Sequence, residues 1–170
     1  IEKLVEHAQE QEVKEALLKT AASDPFWGVR LEAIKALAKN NTNDVRAALL
    51  KIARADAKAQ VRREAIVALG KFPCDETREV LRAVVREDRS YYAVADALRA
   101  LVKVDRNDCE ADLLSAFDRP SHHDVIYQAA CDGLIDLKSQ AGAAKLAAKL
   151  GDKLSPQQRV STVSALAKLN

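Results

Sequence analysis

Apolar residues return along this chain at an interval of about 32 residues. The segment 29–37 (VRLEAIKAL) is followed by a close copy at 61–69 (VRREAIVAL). Weaker copies end at Leu101, Leu134 and Leu166, so that successive closing leucines are 32, 32, 33 and 32 residues apart. A second set of leucines keeps nearly the same step: Leu18, Leu50, Leu81, Leu114 and Leu146. Two positions that stay in register over five copies predict an internal structural repeat.

Each copy has the pattern of two helices. In the second helix the apolar positions, such as Ala33, Ile34 and Leu37, follow the i, i+1, i+4 spacing of one helix face. The first helix carries adjacent apolar residues, as at Leu17 and Leu18. One pair of helices cannot bury such a stripe alone, so neighbouring pairs must share a core. We therefore expect an all-α fold, an α-α superhelix (right-handed solenoid) of about five helical hairpins.

The repeat predicts a single domain over 1–170. Its expected boundaries are 13–40, 41–72, 73–104, 105–138 and 139–170, with 1–12 as a leading helical segment. Because the chain begins at Ile1 and not at methionine, we expect it to be a domain of a longer protein.

Capping residues mark several helix starts. Asp24 and Ser155 each precede a proline, which is typical of an N-cap followed by the first helical residue. Gln158 lies three residues after Ser155 and completes a predicted capping box. Gln158 and Thr162 stand where the other repeats have apolar residues, which indicates a more polar, capping last repeat.

Charge and composition limit the kinds of molecule that the chain is expected to bind. The chain has 27 basic and 25 acidic residues, a net charge of +2, whereas nucleic-acid-binding domains are usually far more basic. No apolar run approaches the roughly 18 residues of a membrane span. An odd number of cysteines, three, fits a reducing compartment. We expect a cytoplasmic protein with a protein partner, and neither nucleic acid nor membrane.

An aspartate precedes an arginine at a recurring spacing, and two readings of this pattern are open. The three pairs are Asp24 with Arg30, Asp56 with Arg62, and Asp152 with Arg159. The arginines could form a basic stripe for phosphate, but the regular spacing favours an internal ladder of ion pairs. Glu32, Glu64 and Asp96 form a parallel row of acidic residues. Such a row would repel phosphates, which further disfavours a nucleic-acid-binding surface here.

The unit length, the helix pairing and this Asp-then-Arg spacing resemble HEAT repeats. The third and fourth copies depart from the pattern, since Val94 and Tyr127 occupy the arginine position. Segment 24–30 (DPFWGVR) is also similar to C-terminal helical-repeat domains of bacterial zinc aminopeptidases of the aminopeptidase N family. That resemblance implies an accessory domain that walls the substrate cavity or contacts the parent's catalytic domain, and any zinc would belong to the parent.

Residues with catalytic potential are few. The aminopeptidase signature His-Glu-x-x-His is absent from the sequence, so no catalytic residue can be assigned from that family. His122, His123 and Asp124 suit a polar helix cap better than a metal site. Cys109 and Cys131 fall at core positions, whereas Cys74 lies in a turn. We expect no catalytic residue, metal or cofactor in this chain.

The aromatic residues cluster at the predicted starts of second helices. They are Phe26, Trp27, Tyr91 and Tyr92. Such residues often anchor a protein partner, but packing between turns, or against a parent domain, explains them as well. Together with Glu32, Glu64 and Asp96 they form the predicted partner surface.

The sequence favours a non-catalytic scaffold, with the second helices on the concave side. The resemblance makes it the accessory domain of a zinc aminopeptidase. The alternative is a free-standing protein-interaction scaffold. Enzymes built directly on such repeats are less favoured: the balanced charge speaks against a HEAT-like DNA glycosylase, and these residues give no specific support to a bilin lyase.

Overall fold

A computed structural model describes residues 11–169. Ten α-helices lie in that range and no strand occurs within it, which confirms the predicted all-α helical-repeat fold. The expected leading segment 1–12 falls almost entirely outside the described residues. The helices are α1 (Gln11–Ser23), α2 (Trp27–Leu37), α3 (Asn43–Ala55), α4 (Ala59–Leu69), α5 (Asp75–Glu87), α6 (Tyr91–Val104), α7 (Glu110–Ala116), α8 (Val125–Leu137), α9 (Gln140–Lys149) and α10 (Pro156–Leu169). A 3₁₀ turn, His122–Asp124, leads into α8.

The chain divides into two compact units, Ile1–Val80 and Leu81–Asn170, with the boundary inside α5. In the first unit α1 packs on α2, α3 packs on α4, and α2 lies directly against α4. Ile34 and Leu37 of α2 are fully buried, as are Ile66 and Leu69 of α4. The residues that recur in the sequence are therefore the ones that adjacent hairpins share.

The second unit repeats this arrangement. Helix α8 packs on both α6 and α7, and α10 packs on both α8 and α9. Leu98, Leu101 and Leu134 have no exposed surface. Gly133 permits close packing here, because a Cβ built on it would lie 2.7 Å from Cδ2 of Leu113.

The two predicted proline-linked caps have different outcomes. The Ser155 hydroxyl accepts the Gln158 N–H at 3.1 Å, and the Gln158 side chain accepts the Ser155 N–H at 3.1 Å, which confirms the capping box. Asp24 is not an N-cap. Helix α2 begins at Trp27, with Phe26 at its N-cap, because the Asp24 carboxylate accepts the Phe26 N–H at 2.9 Å and holds a turn before the helix.

The last repeat differs from the polar cap that the sequence predicts. Thr162 is completely buried, and its hydroxyl is 2.7 Å from that of Tyr127 on α8. Val160 and Val163, in contrast, are 63% and 57% exposed. The polar residue Thr162 therefore lies inside the hairpin stack. The exposed residues of α10 include these two valines and also polar ones: Gln157, Arg159, Ser164 and Lys168.

Candidate functional site

Arg30 links two successive hairpins of the first unit. Its Nε and Nη2 donate to Oδ2 and Oδ1 of Asp56 at 2.7 and 2.8 Å, and its Nη1 donates to the Asp24 carbonyl at 2.8 Å. The two side chains are 12% and 9% exposed. The structure thus brings Arg30 to the aspartate of the following turn, and to the backbone of its own. The carboxylate of Asp56 raises the pKa of Arg30.

The aspartates of these turns also shape the backbone. Asp24, Asp56 and Asp88 each accept the N–H of the second residue after them, at 2.9, 2.8 and 2.7 Å. This Asx-turn bond closes the connection between the two helices of a hairpin. Asp88 was missed at the sequence level, although a step of 32 residues from Asp56 leads directly to it.

Arg62 repeats one contact of Arg30, the bond to the backbone of its own turn. Its Nη1 donates to the Asp56 carbonyl at 2.9 Å. The last pair of the predicted ladder is not formed. Asp152 lies 3.7 Å from Lys149, while Arg159 is exposed and its guanidinium has no partner among residues 11–169. The connection α9–α10 carries no Asx turn at this position that would draw the two side chains together.

Asp124 connects the last two hairpins instead. Its carboxylate accepts from the Ser155 hydroxyl at 2.6 Å and from the Gln158 amide at 2.9 Å. Both His123 and Asp124 have positive φ, near 52° and 53°, which turns the chain sharply into α8. The side-chain contact to the start of α8 comes from Ser121, whose hydroxyl accepts the Ile126 N–H, and not from the histidines.

The basic residue Arg82 joins two carboxylates in the second unit. It lies 2.5 Å from Asp105 and 2.9 Å from Asp112, and Asp105 is almost fully buried. These charges compensate one another in a partly buried site, so the cluster has the character of a structural connection. The hydrogen bond to Asp112 raises the pKa of Arg82.

The predicted acidic row is partly neutralised by neighbouring cations. Glu32 pairs with Lys35 at 2.7 Å in the first unit, where Glu64 also raises the pKa of Lys35. In the second unit Arg99 lies 3.5 Å from Asp96 and 3.4 Å from Asp132 on the next hairpin. The row is a mixed-charge surface and not a continuous negative track.

The aromatic residues remain accessible. Phe26 is 60% exposed and its ring centroid lies 5.9 Å from that of the half-buried Trp27. In the second unit Tyr91 and Tyr92 are both exposed at the start of α6. The Phe26 ring lies over Gly28, where an added Cβ would be 2.7 Å from the ring.

The cysteines occupy contrasting environments. Cys109 and Cys131 are buried, and the loss of hydration raises their pKa values to about 11 and about 12. Cys74 is half-buried at the start of α5. Desolvation opposes its ionisation, but Thr77 and Arg46 outweigh that effect and lower its pKa.

Several kinds of site have no counterpart in the part of the chain that the structure describes. Among residues 11–169, no three His, Cys, Asp or Glu side chains are grouped so that they could hold a metal ion. Within the same range, none of the helices has the length and apolar character needed to cross a bilayer.

Comparison with known proteins yields one family. The model of HEAT repeats matches residues 1–70 and 46–135, which together exceed half of the chain. A search of curated proteins gives no match. The matched range includes the Arg30–Asp56 pair and both aromatic pairs.

Proposed function

The chain belongs to the HEAT repeat family, and from that premise we propose that it is a non-catalytic scaffold that binds another protein. The observation that carries the proposal is the exposed Phe26 beside Trp27, at the turn where α2 begins. The packed hairpins of the first unit present these rings at the start of a regular helix, and such preorganisation reduces the entropic cost of binding.

The surroundings of Phe26 support a protein ligand. Its ring contacts Trp27 and lies over Gly28, and Phe26 remains 60% exposed, so an apolar ring faces solvent. Aromatic side chains contribute disproportionately to binding energy at protein interfaces. Glu32 and Lys35, which form an ion pair further along α2, are charged and exposed. We therefore infer a partner with an apolar centre and charged flanks.

The first experiment compares the proteins retained by immobilised wild-type chain, by Phe26→Ser and by Val67→Ser. Val67 is the matched control, since it is also an exposed apolar residue, on α4 of the same unit. We expect a specific partner to be lost with Phe26→Ser and kept with Val67→Ser. Loss in both variants, or in neither, contradicts a role for the aromatic pair. Circular dichroism of each variant checks the fold.

The finer version of the proposal makes the chain the accessory domain of a zinc aminopeptidase of the aminopeptidase N family. Its support is segment 24–30, DPFWGVR, which in the structure includes the exposed aromatic pair. The aromatic rings would then face the parent's catalytic domain. Reading the gene upstream of Ile1 for His-Glu-x-x-His tests this version directly. A gene without that signature rejects the aminopeptidase and leaves the free-standing scaffold.

A further inference from the structure

A cleft runs between α8 and α10, the second helices of two successive hairpins that pack on each other inside the second unit. At one end it opens into a hollow of about 570 Å³ beside the turns that lead into the two helices. A narrower hollow of about 210 Å³ continues along the helices towards Ile135 and Lys168. Gln128 and Gln157 line both hollows, so the two form one continuous cleft.

Neutral polar side chains form the middle of this cleft. Gln128 of α8 and Gln157 of α10 are both exposed, and neither carboxamide is used in a hydrogen bond within residues 11–169. Ser161 and Ser164 add hydroxyl groups on the α10 side. A carboxamide offers a donor and an acceptor together, which are the two groups that a peptide bond presents. The two glutamines are therefore suited to hydrogen-bond the main chain of an extended segment from both sides.

Opposite charges stand at the two ends of the cleft. Asp124 lines the turn end, and its carboxylate accepts hydrogen bonds from two neutral side chains and from no cation within residues 11–169. Lys168 lines the far end, is exposed and pairs with no carboxylate in that range. Asp132 of α8 is already paired with Arg99 at 3.4 Å. One negative charge at the first end and one positive charge at the other are thus left unbalanced.

The length of the cleft sets the size of the segment that fits it. Val125 lines the turn end and Ile135 the far end, and ten helical steps of about 1.5 Å separate them by about 15 Å. An extended chain advances about 3.3 Å per residue, so that about four or five residues span this distance. A basic side chain beside Asp124 and an acidic side chain beside Lys168 would lie that many positions apart.

We propose that this cleft binds an extended segment of a protein partner. Gln128 and Gln157 hydrogen-bond its main chain, Asp124 faces a basic side chain and Lys168 faces an acidic one. A neutral oligosaccharide could bond to the same carboxamides, but it would leave both end charges without a complement, which favours the peptide. The cleft lies in the second unit and does not involve Phe26, so this proposal is independent of the one made for the aromatic pair.

The probe is a phage-displayed library of random peptides of about 12 residues, selected on the immobilised chain at low salt, where charge pairs are least screened. We expect the enriched sequences to carry a basic and an acidic residue about four or five positions apart. These peptides are then synthesised, and fluorescence anisotropy gives their Kd values. Methylating the main-chain nitrogens between the two charged residues removes donors and should weaken binding about tenfold or more.

Variants of the chain locate the binding site. Gln128→Leu and Gln157→Leu each remove one carboxamide and should each weaken binding of the selected peptides about tenfold. Gln140→Leu is the matched control, since it makes the same change at an exposed glutamine of α9, and it should bind as the wild type does. Lys168→Glu should weaken binding, and replacing the acidic residue of the peptide by arginine should restore it. Circular dichroism of each variant checks the fold.

Three results would overturn the proposal: a selection that enriches no sequence, enriched peptides that bind both glutamine variants as tightly as the wild type, or affinities that main-chain methylation leaves unchanged. Binding of a neutral oligosaccharide from a glycan array that is lost with Gln128→Leu, while no peptide is enriched, would assign the cleft to a sugar. Peptides lost only with Phe26→Ser would reject the cleft and support the aromatic pair, so the two proposals fail separately.

Discussion

The Arg30 guanidinium makes three hydrogen bonds, two of them to a carboxylate that is itself largely buried. Removing Arg30 leaves the largely buried Asp56 carboxylate without its closest cation, which costs more than the pair contributes. Arg30→Ala should therefore lower the free energy of unfolding by about 2–3 kcal/mol. Urea denaturation of the wild type and the variant measures this difference. The exposed pair of Lys35 with Glu32 is the control, and Lys35→Ala should leave the free energy of unfolding nearly unchanged.

Asp44 gives the protein a dependence on acid pH. A hydrogen bond from Thr42, and the nearby Lys14, lower its pKa from 3.8 to about 2. The carboxylate therefore stabilises the fold fully above its unfolded pKa of about 4. That contribution is lost as the pH falls from about 4 towards 2. The urea midpoint of the wild type should fall more over this interval than that of Asp44→Asn. Parallel pH profiles for the two proteins would refute the assignment.

Thiol reactivity should follow the three cysteine environments. The lowered pKa of Cys74 and its partial exposure favour the reactive thiolate, while Cys109 and Cys131 are buried with raised pKa values. A thiol reagent at neutral pH should label one equivalent rapidly in the native protein and three in urea. Cys74→Ser should remove the rapid phase. Rapid native labelling of two or three thiols would show that the core opens readily.

At the scale of helices, two glycines have opposite roles. A Cβ at Gly133 meets Leu113 at 2.7 Å and Val102 at 3.1 Å, on two different helices, whereas at Gly28 it meets only the exposed Phe26 ring. Alanine favours a helix by up to about 1 kcal/mol over glycine. Gly28→Ala should thus be neutral or stabilising, while overpacking should make Gly133→Ala destabilising by about 1–2 kcal/mol. Thermal unfolding of the two variants compares these effects. Equal changes in the melting temperature would contradict the packing described for α8.

The connections between helices show how a repeat tolerates sequence change. Two copies lack the expected arginine, yet Tyr127 at that position bonds to Thr162 of the next hairpin, and Asp124 bonds to Ser155 and Gln158. Each contact joins one hairpin to the following one, as Arg30 and Asp56 do. The polar residues of the last repeat are thus part of an internal connection and not a solvated cap.

At the scale of the whole molecule, stability should be distributed among neighbouring hairpins. In repeat proteins each hairpin contacts only its neighbours, so a local defect loosens the adjacent structure first. Leu49→Ala removes a fully buried side chain of α3. It should accelerate amide hydrogen exchange in residues 11–69 more than in residues 125–169. Hydrogen exchange read by mass spectrometry tests this. Uniform acceleration across both ranges would indicate a single cooperative unit.

The sequence by itself determined the helical repeat. The burial of Ile34, Ile66 and Leu98 follows from apolar residues that recur every 32 positions, because only a regular helix stack brings equivalent positions to equivalent places. The capping box at Ser155 is equally local, since it depends on residues three apart. The aspartate-then-arginine spacing located Arg30 and Asp56, but it did not show that Arg30 reaches the aspartate of the following turn.

Only the tertiary structure decided which side chains contact one another across hairpins and which remain exposed to solvent. Arg82 with Asp105, and Asp124 with Ser155, are separated by more than 20 residues and share no repeating pattern. Val163 of α10 stands at the repeat position of the buried Ile34 and Ile66 and is nevertheless 57% exposed, because a periodic pattern marks every equivalent position alike. Whether a position is covered depends on the presence of a neighbouring helix, and that is a property of the packed molecule.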